Sequence, residues 1–212
     1  MRSLVPILLI TLGVACTAKE SGTPDQSDTA TAAVTASSTT ETPISSTESA
    51  VAPEVNPPGD IPDTQAFVKY TNAAGGYQLE VPEGWARTES GAGVTFVNKF
   101  DGVKVHVASP SGSAAPTAAS ARANEVKQIQ SQGHAVTITG VLAINLPAGK
   151  AVVIKYTSNS DPNPVTNKRL RLENETYLYY KNGKEAMLTL WAPKGADNVD
   201  QWNRMSKSFQ WL

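Results

Sequence analysis

The side chains with the widest chemical range in this 212-residue chain are two histidines, one cysteine and a charged stretch from Lys168 to Glu175. A metal centre needs His, Cys or carboxylate ligands at short, regular spacings, and neither His106 nor His134 has such a partner two or four positions away. The lone Cys16 excludes an intrachain disulfide and a thiolate zinc site. Gly149-Lys150 does not make a phosphate-cradling loop, because Ile144 stands where the first glycine belongs and Ala151 where Ser or Thr would hold magnesium. Gly-x-Ser-x-Gly is absent from the sequence. Glu173 and Glu175 share a strand face with Arg169 and Arg171, which points to cross-strand ion pairing rather than acid-base work. Asp161 sits among Pro and Asn and reads as a turn residue. The expectation is no catalytic residue, no metal and no cofactor.

What remains is binding. Lys155, Lys168, Arg169, Arg171, Lys181 and Lys184 are expected to gather near one hairpin end, as a solvated rim or a docking patch for an acidic partner or headgroup. The candidate patch is Lys168, Arg169 and Arg171 with Tyr177 and Tyr179. A second possibility is a small-ligand or lipid pocket between sheet and helix, lined by Tyr177, Tyr179, Leu188 and Leu190. Eighteen basic against nineteen acidic residues leave a net charge of −1, which argues against nucleic acid as a partner.

The charge is unevenly spread. Residues 1–62 hold two basic and seven acidic residues, −5, and residues 63–212 come to +4. All fourteen aromatic residues lie at or after Phe67. Residues 1–15 read as a signal: Arg2 precedes an apolar run from Leu4 to Val14 that as a helix covers only about 16 Å, half of a hydrocarbon core. Gly13-Val14-Ala15 before Cys16 resembles the lipobox of bacterial lipoproteins, although its usual leucine is here one place early, at Leu12. The resemblance implies cleavage before Cys16, a diacylglycerol on its sulfur and attachment to the outer face of a membrane. Acyl chains contribute roughly 0.8 kcal/mol per buried methylene, so two or more hold stably. Residues 16–62 read as a disordered linker. Thr17 to Pro62 contains sixteen Ser/Thr and no aromatic residue, and 46 such residues reach roughly 40 Å.

Residues 63–212 read as one domain dominated by strands. Runs at Phe67–Tyr70 and Tyr77–Val81 flank a Gly-rich turn, and Val94–Val97 and Val103–Val107 flank Asp101-Gly102. One helix follows Pro116, capped by Thr117, with Ala119, Ala123, Val126 and Ile129 on one face and Gly133 at its end. Val136–Leu146, Ala151–Thr157 and Arg169–Lys181 follow as strands. Asn182-Gly183 then turns the chain into Glu185–Trp191. That two-residue turn sets a register in which Lys181 faces Lys184, Tyr179 faces Ala186 and Tyr177 faces Leu188. Both faces of this hairpin are apolar, so the sheet needs a cover on each side. A last helix from about Asp197 carries Val199, Trp202 and Met205 on one stripe. The fold class is α+β: a mainly antiparallel sheet flanked by helices, an α/β/α sandwich.

Tyr70 followed by Gly76-Tyr77-Gln78-Leu79-Glu80-Val81-Pro82-Glu83-Gly84-Trp85 resembles the opening of PsbP-like domains. The subsequent order is similar as well, through hairpin, helix and long strands to a helix ending in Ser208-Phe209, over about residues 67–211. That family holds the extrinsic PsbP subunits of photosystem II, their lipid-anchored cyanobacterial relatives and bacterial lipoproteins of the LpqN type. The resemblance implies a sheet flanked by helices and a non-catalytic accessory or binding role, for instance within an envelope protein complex. It transfers no functional residue.

Overall fold

The computed structural model describes residues 48–109 and 114–212. Their order begins β1 (Phe67–Asn72), β2 (Tyr77–Pro82), β3 (Ala86–Ser90), β4 (Gly93–Asn98) and β5 (Asp101–Ala108). Two helices follow, α1 (Ala118–Ala123) and α2 (Glu125–Gln132). The chain then runs through β6 (His134–Leu146), β7 (Gly149–Asn159), β8 (Arg171–Lys181), β9 (Lys184–Pro193), α3 (Val199–Ser208) and β10 (Gln210–Trp211). Every pairing is antiparallel. Seven strands form one sheet in the order β3-β4-β5-β9-β8-β7-β6, and β1-β2-β10 form a second.

The β8–β9 hairpin turns at Asn182 and Gly183, both at positive φ (51° and 78°), the backbone that a two-residue turn between right-twisted strands requires. Its register is the expected one, with Lys181 opposite Lys184, Tyr179 opposite Ala186 and Tyr177 opposite Leu188. The β4–β5 hairpin differs. Its two-residue loop is Lys99-Phe100, and Asp101 and Gly102 already belong to β5, opposite Asn98 and Val97. Gly102 is needed there for packing, because a Cβ would lie 1.8 Å from the Trp191 indole.

Consecutive buried residues, such as Ala151-Val152-Val153-Ile154 in β7, show that the large sheet is covered on both faces at this strand. On one face Val153, Tyr179, Leu188 and Val105 pack with Leu79 and Tyr77 of the small sheet and with Met205 and Phe209 at α3. On the other, Val152, Ile154 and Leu178 pack with Ala121 of α1 and Val126 of α2. The fold is thus the expected α+β class, with one addition: a three-stranded sheet joins α3 in the first cover.

The expected single helix is two. Thr117 caps α1 through a reciprocal pair, the Ser120 amide donating to Thr117 Oγ1 (3.1 Å) and the Thr117 amide to Ser120 Oγ (2.8 Å). The helix breaks at Asn124 (φ −116°, ψ −78°), which rotates the inward face. Ala121 is buried and Ala118 partly so, whereas Ala119 and Ala123 are exposed. In α3, Trp202 and Met205 are buried and Val199 is 66% exposed. Among the described residues no helix is long and apolar enough to cross a membrane.

Residues 48–62 lie in the segment read as linker. They form no regular element, yet they are fastened to the domain along one end of the large sheet. The Val51 amide donates to Asn159 Oδ1 (3.1 Å), the Ile61 amide to Asn198 Oδ1 (2.6 Å) and Asn198 Nδ2 to the Gly59 carbonyl (2.8 Å). Ile61 is 4% exposed in the main core. Asn198 holds the N-cap position of α3 but makes no side-chain cap bond to the helix; its amide group secures this strap instead. The folded body therefore includes residues before 63.

Burying an isoleucine contributes roughly 2 kcal/mol and each net hydrogen bond about 1 kcal/mol. A fragment spanning residues 63–212 should consequently melt roughly 10 °C below one spanning 48–212. Equal melting temperatures by circular dichroism would show that the strap adds nothing to the fold.

Candidate functional site

Three strand ends and two irregular segments meet where the strap joins the sheet. β6 brings His134, β7 brings Asn159, β8 brings Arg171, the loop before β8 brings Asp161 and Arg169, and the strap brings Glu48. His134 sits between carboxylates: Nδ1 lies 2.8 Å from Glu48 Oε2 and Nε2 lies 3.2 Å from Asp161 Oδ1. These partners come from positions 86 residues upstream and 27 downstream in the chain. Asn159 Nδ2 donates to Glu48 Oε1 (2.8 Å), and Arg169 Nε stands 3.3 Å from the same oxygen. The Asn159 hydrogen bond chiefly, with His134 and Arg169 assisting, holds the Glu48 carboxyl below its usual range.

Arg171 is 6% exposed and meets oxygens only, none of them a carboxylate's. Nη1 donates to the Ala135 carbonyl (2.8 Å) and Asn159 Oδ1 (3.1 Å); Nη2 donates to Thr157 Oγ1 (2.6 Å) and Thr137 Oγ1 (3.3 Å). Burial alone lowers its pKa from the usual guanidinium value. The guanidinium is thus a clamp that joins the ends of β6, β7 and β8.

This geometry separates the candidate patch. Lys168 is exposed, Arg169 is tied to Glu48 and to the Ser160 carbonyl (2.6 Å), and Arg171 is inside. Tyr177 and Tyr179 lie in the core at 5% and 1% exposure. Lys181 and Lys184 close the hairpin at the opposite end of the eleven-residue β8 from Arg171. The ion pair that does form on Glu175 is with Lys155 (2.5 Å), its opposite number on β7. Cys16, the expected lipid-bearing residue, lies outside the described residues, as do the signal and the linker up to residue 47.

The space expected between Tyr177, Tyr179, Leu188 and Leu190 and a helix is filled. Tyr179 stacks on Phe209 at 4.2 Å between ring centroids, and its hydroxyl donates to the Ser206 carbonyl of α3 (2.6 Å). Leu188 and Leu190 are fully buried. Only Tyr177 reaches a cleft, of about 210 Å³, beside α3, where Lys155, Glu175, Trp202 and Asn203 join it. Its hydroxyl donates to Glu175, and burial followed by that acidic neighbour pushes the phenol well above its ordinary pKa. A tyrosine so held keeps its proton, and the Glu175 carboxylate is occupied by Lys155 and Tyr177 together.

Sequence spacing gives no signal for the buried acid at the strap. Asp101, at the start of β5, is 4% exposed, and its Oδ1 has no hydrogen-bond partner. Gly59 of the strap packs so closely that a Cβ there would lie 2.7 Å from that oxygen. Burial, then the like charge of Asp60, raises the Asp101 carboxyl to about 7.

No family model matches the chain, and no curated protein matches it in sequence. Its fold is similar to solved structures that include a PsbP of the cyanobacterium Synechocystis, at TM-score 0.49 and 15% identity, over 73% of this chain and 98% of that one. The Ran-binding protein Mog1p of Saccharomyces cerevisiae matches at TM-score 0.47 and 9% identity, over 69% and 96%. LpqN of Mycobacterium tuberculosis, described as involved in cell envelope biogenesis, matches at TM-score 0.42 and 13% identity, over 70% and 85%. PsbP and LpqN are two of the groups that the sequence resembles.

The raised Asp101 pKa fixes a pH dependence. Below about pH 4 this acid is protonated in both folded and unfolded chains and imposes no penalty. Between about pH 4 and 7 only the folded chain keeps the proton, so stability falls as pH rises and then levels off. Asp101→Asn should raise stability at pH 8 by roughly 2–4 kcal/mol and change little at pH 4. A urea titration showing the same effect of the substitution at both pH values would contradict the assignment.

Proposed function

We propose that the chain is a lipoprotein, held by acyl chains on Cys16 at the extracytoplasmic face of a membrane, whose folded body binds partners and performs no chemistry. The support for anchoring is in the sequence: a short apolar run, small residues before the only cysteine, and a Ser/Thr-rich spacer behind it. The structure adds one observation that carries the rest of the reading. Several of the groups with most chemical range are spent on fastening: Glu48, His134, Asn159 and Arg169 join strap to sheet, and Arg171 closes three strand ends.

The strap enters the folded body at the β6–β8 end of the large sheet. Polar groups committed to such internal bonds suit an accessory or binding subunit of an envelope complex better than an enzyme. The sequence resemblance to PsbP-like domains implies the same kind of role.

Mass spectrometry of the mature protein tests the anchor directly. The expected product begins at Cys16 with a diacylglycerol adduct, globomycin blocks its formation, and Cys16→Ser abolishes the adduct. An unmodified product cleaved elsewhere would remove the membrane from the reading.

A further inference from the structure

The helix-covered face of the large sheet is only partly covered, and the uncovered part has a defined chemistry. Seven strands spaced about 4.8 Å apart make a sheet roughly 29 Å wide, while an eight-residue helix such as α2 is about 12 Å long. α1 and α2 pack over β6 and β7, which leaves the same face of β5, β9 and part of β8 without a helix. A groove of about 300 Å³ runs there along the flank of α2.

Its floor and wall are apolar: Met187 of β9, Tyr156 of β7, Ile129 of α2 and Val136 of β6. Its far rim is β5, where Lys104 and His106 alternate with the buried Val103 and Val105 and are both exposed. Pairing places His106 opposite Met187 and Lys104 opposite Thr189, so both basic groups stand directly beside the floor. Thr176 and Thr189 add hydroxyls, 3.0 Å apart, at the base. Among the described residues no acidic one lines the groove. The acidic pair Glu125 and Glu185, which repel each other enough to raise the Glu185 pKa after its burial does so, is not part of the lining. Burial also raises the Tyr156 phenol, which therefore stays neutral.

We infer that this groove binds a small amphipathic carboxylate, its anionic head between Lys104 and His106 and its apolar body over Met187, Ile129 and Tyr156. The volume lies at the low end for ligand sites, enough for a chain or ring of roughly ten heavy atoms. Charge complementarity selects an anion over a neutral or cationic amphiphile of the same shape. The inference is independent of the anchor, because the groove is complete whether or not Cys16 is acylated.

The methionines supply the test. Met187 is on the groove floor, and Met205 is fully buried on the opposite side of the sheet. The full-length chain, labelled with carbon-13 at its methionine methyls, is titrated with octanoate, octan-1-ol and octylamine. Octanoate should move the Met187 methyl signal at least tenfold more tightly than either control and leave Met205 in place. Lys104→Gln combined with His106→Gln should weaken octanoate at least tenfold without changing the melting temperature. Equal binding of all three probes, a response at Met205 in place of Met187, no response at all, or full affinity in the double variant would each overturn the inference.

Discussion

Strands β7 and β8 of the large sheet are buried on both sides, and the covers on its two faces answer to that. In β7 four successive residues, Ala151 to Ile154, are buried, and in β8 Thr176 to Tyr179 repeat the pattern. Over these two strands the sheet has no face to give to water. Each face loses roughly 25 cal/mol for every square ångström of apolar surface left uncovered. The chain meets the demand with two different covers.

One cover is complete. Tyr77, Tyr179 and Phe209 form a run of stacked rings between the two sheets and α3, and the polar end of Tyr179 is satisfied by a helix carbonyl. The rings fill the space between the two sheets, and a cleft of about 210 Å³ remains beside α3. The other cover is two short helices on a wide sheet, and it is complete only over Val152, Ile154 and Leu178. Beyond them the residues turn from aliphatic to Thr, Lys and His, so the sequence itself concedes that this part of the face stays wet. The same domain thus has a dry side that holds it together and a half-open side that can receive something.

The parts legible in the sequence were those with local causes. Asn182-Gly183 dictates the tight turn, and the turn dictates the register of β8 and β9. Thr117 dictates the start of α1. β3 was not legible, because Ala86-Arg87-Thr88-Glu89-Ser90 is exposed throughout and carries no apolar alternation. Nor was the strap. Its composition is that of a spacer, and its attachment rests on single polar residues whose partners lie between 86 and 139 positions away. Separation in the chain, 86 residues to Glu48 and 27 to Asp161, concealed the carboxylates at His134 too, since spacing rules search only neighbouring turns. Among the candidate binding residues Lys168 is exposed, whereas Arg171 is a buried clamp because three strand ends supply it with oxygens. The space between sheet and helix at Tyr177, Tyr179, Leu188 and Leu190 is filled, and the groove beside α2 lies against the opposite face, where helix length rather than residue type decides.

Oxidation by dilute hydrogen peroxide, followed by peptide mass spectrometry, measures the contrast between the two faces in one experiment. Met187 should convert to the sulfoxide while the protein remains folded, and Met205 should resist until denaturant unfolds it. Equal rates at both residues in the folded chain, or faster loss of Met205, would contradict a sheet closed on one face and open on the other.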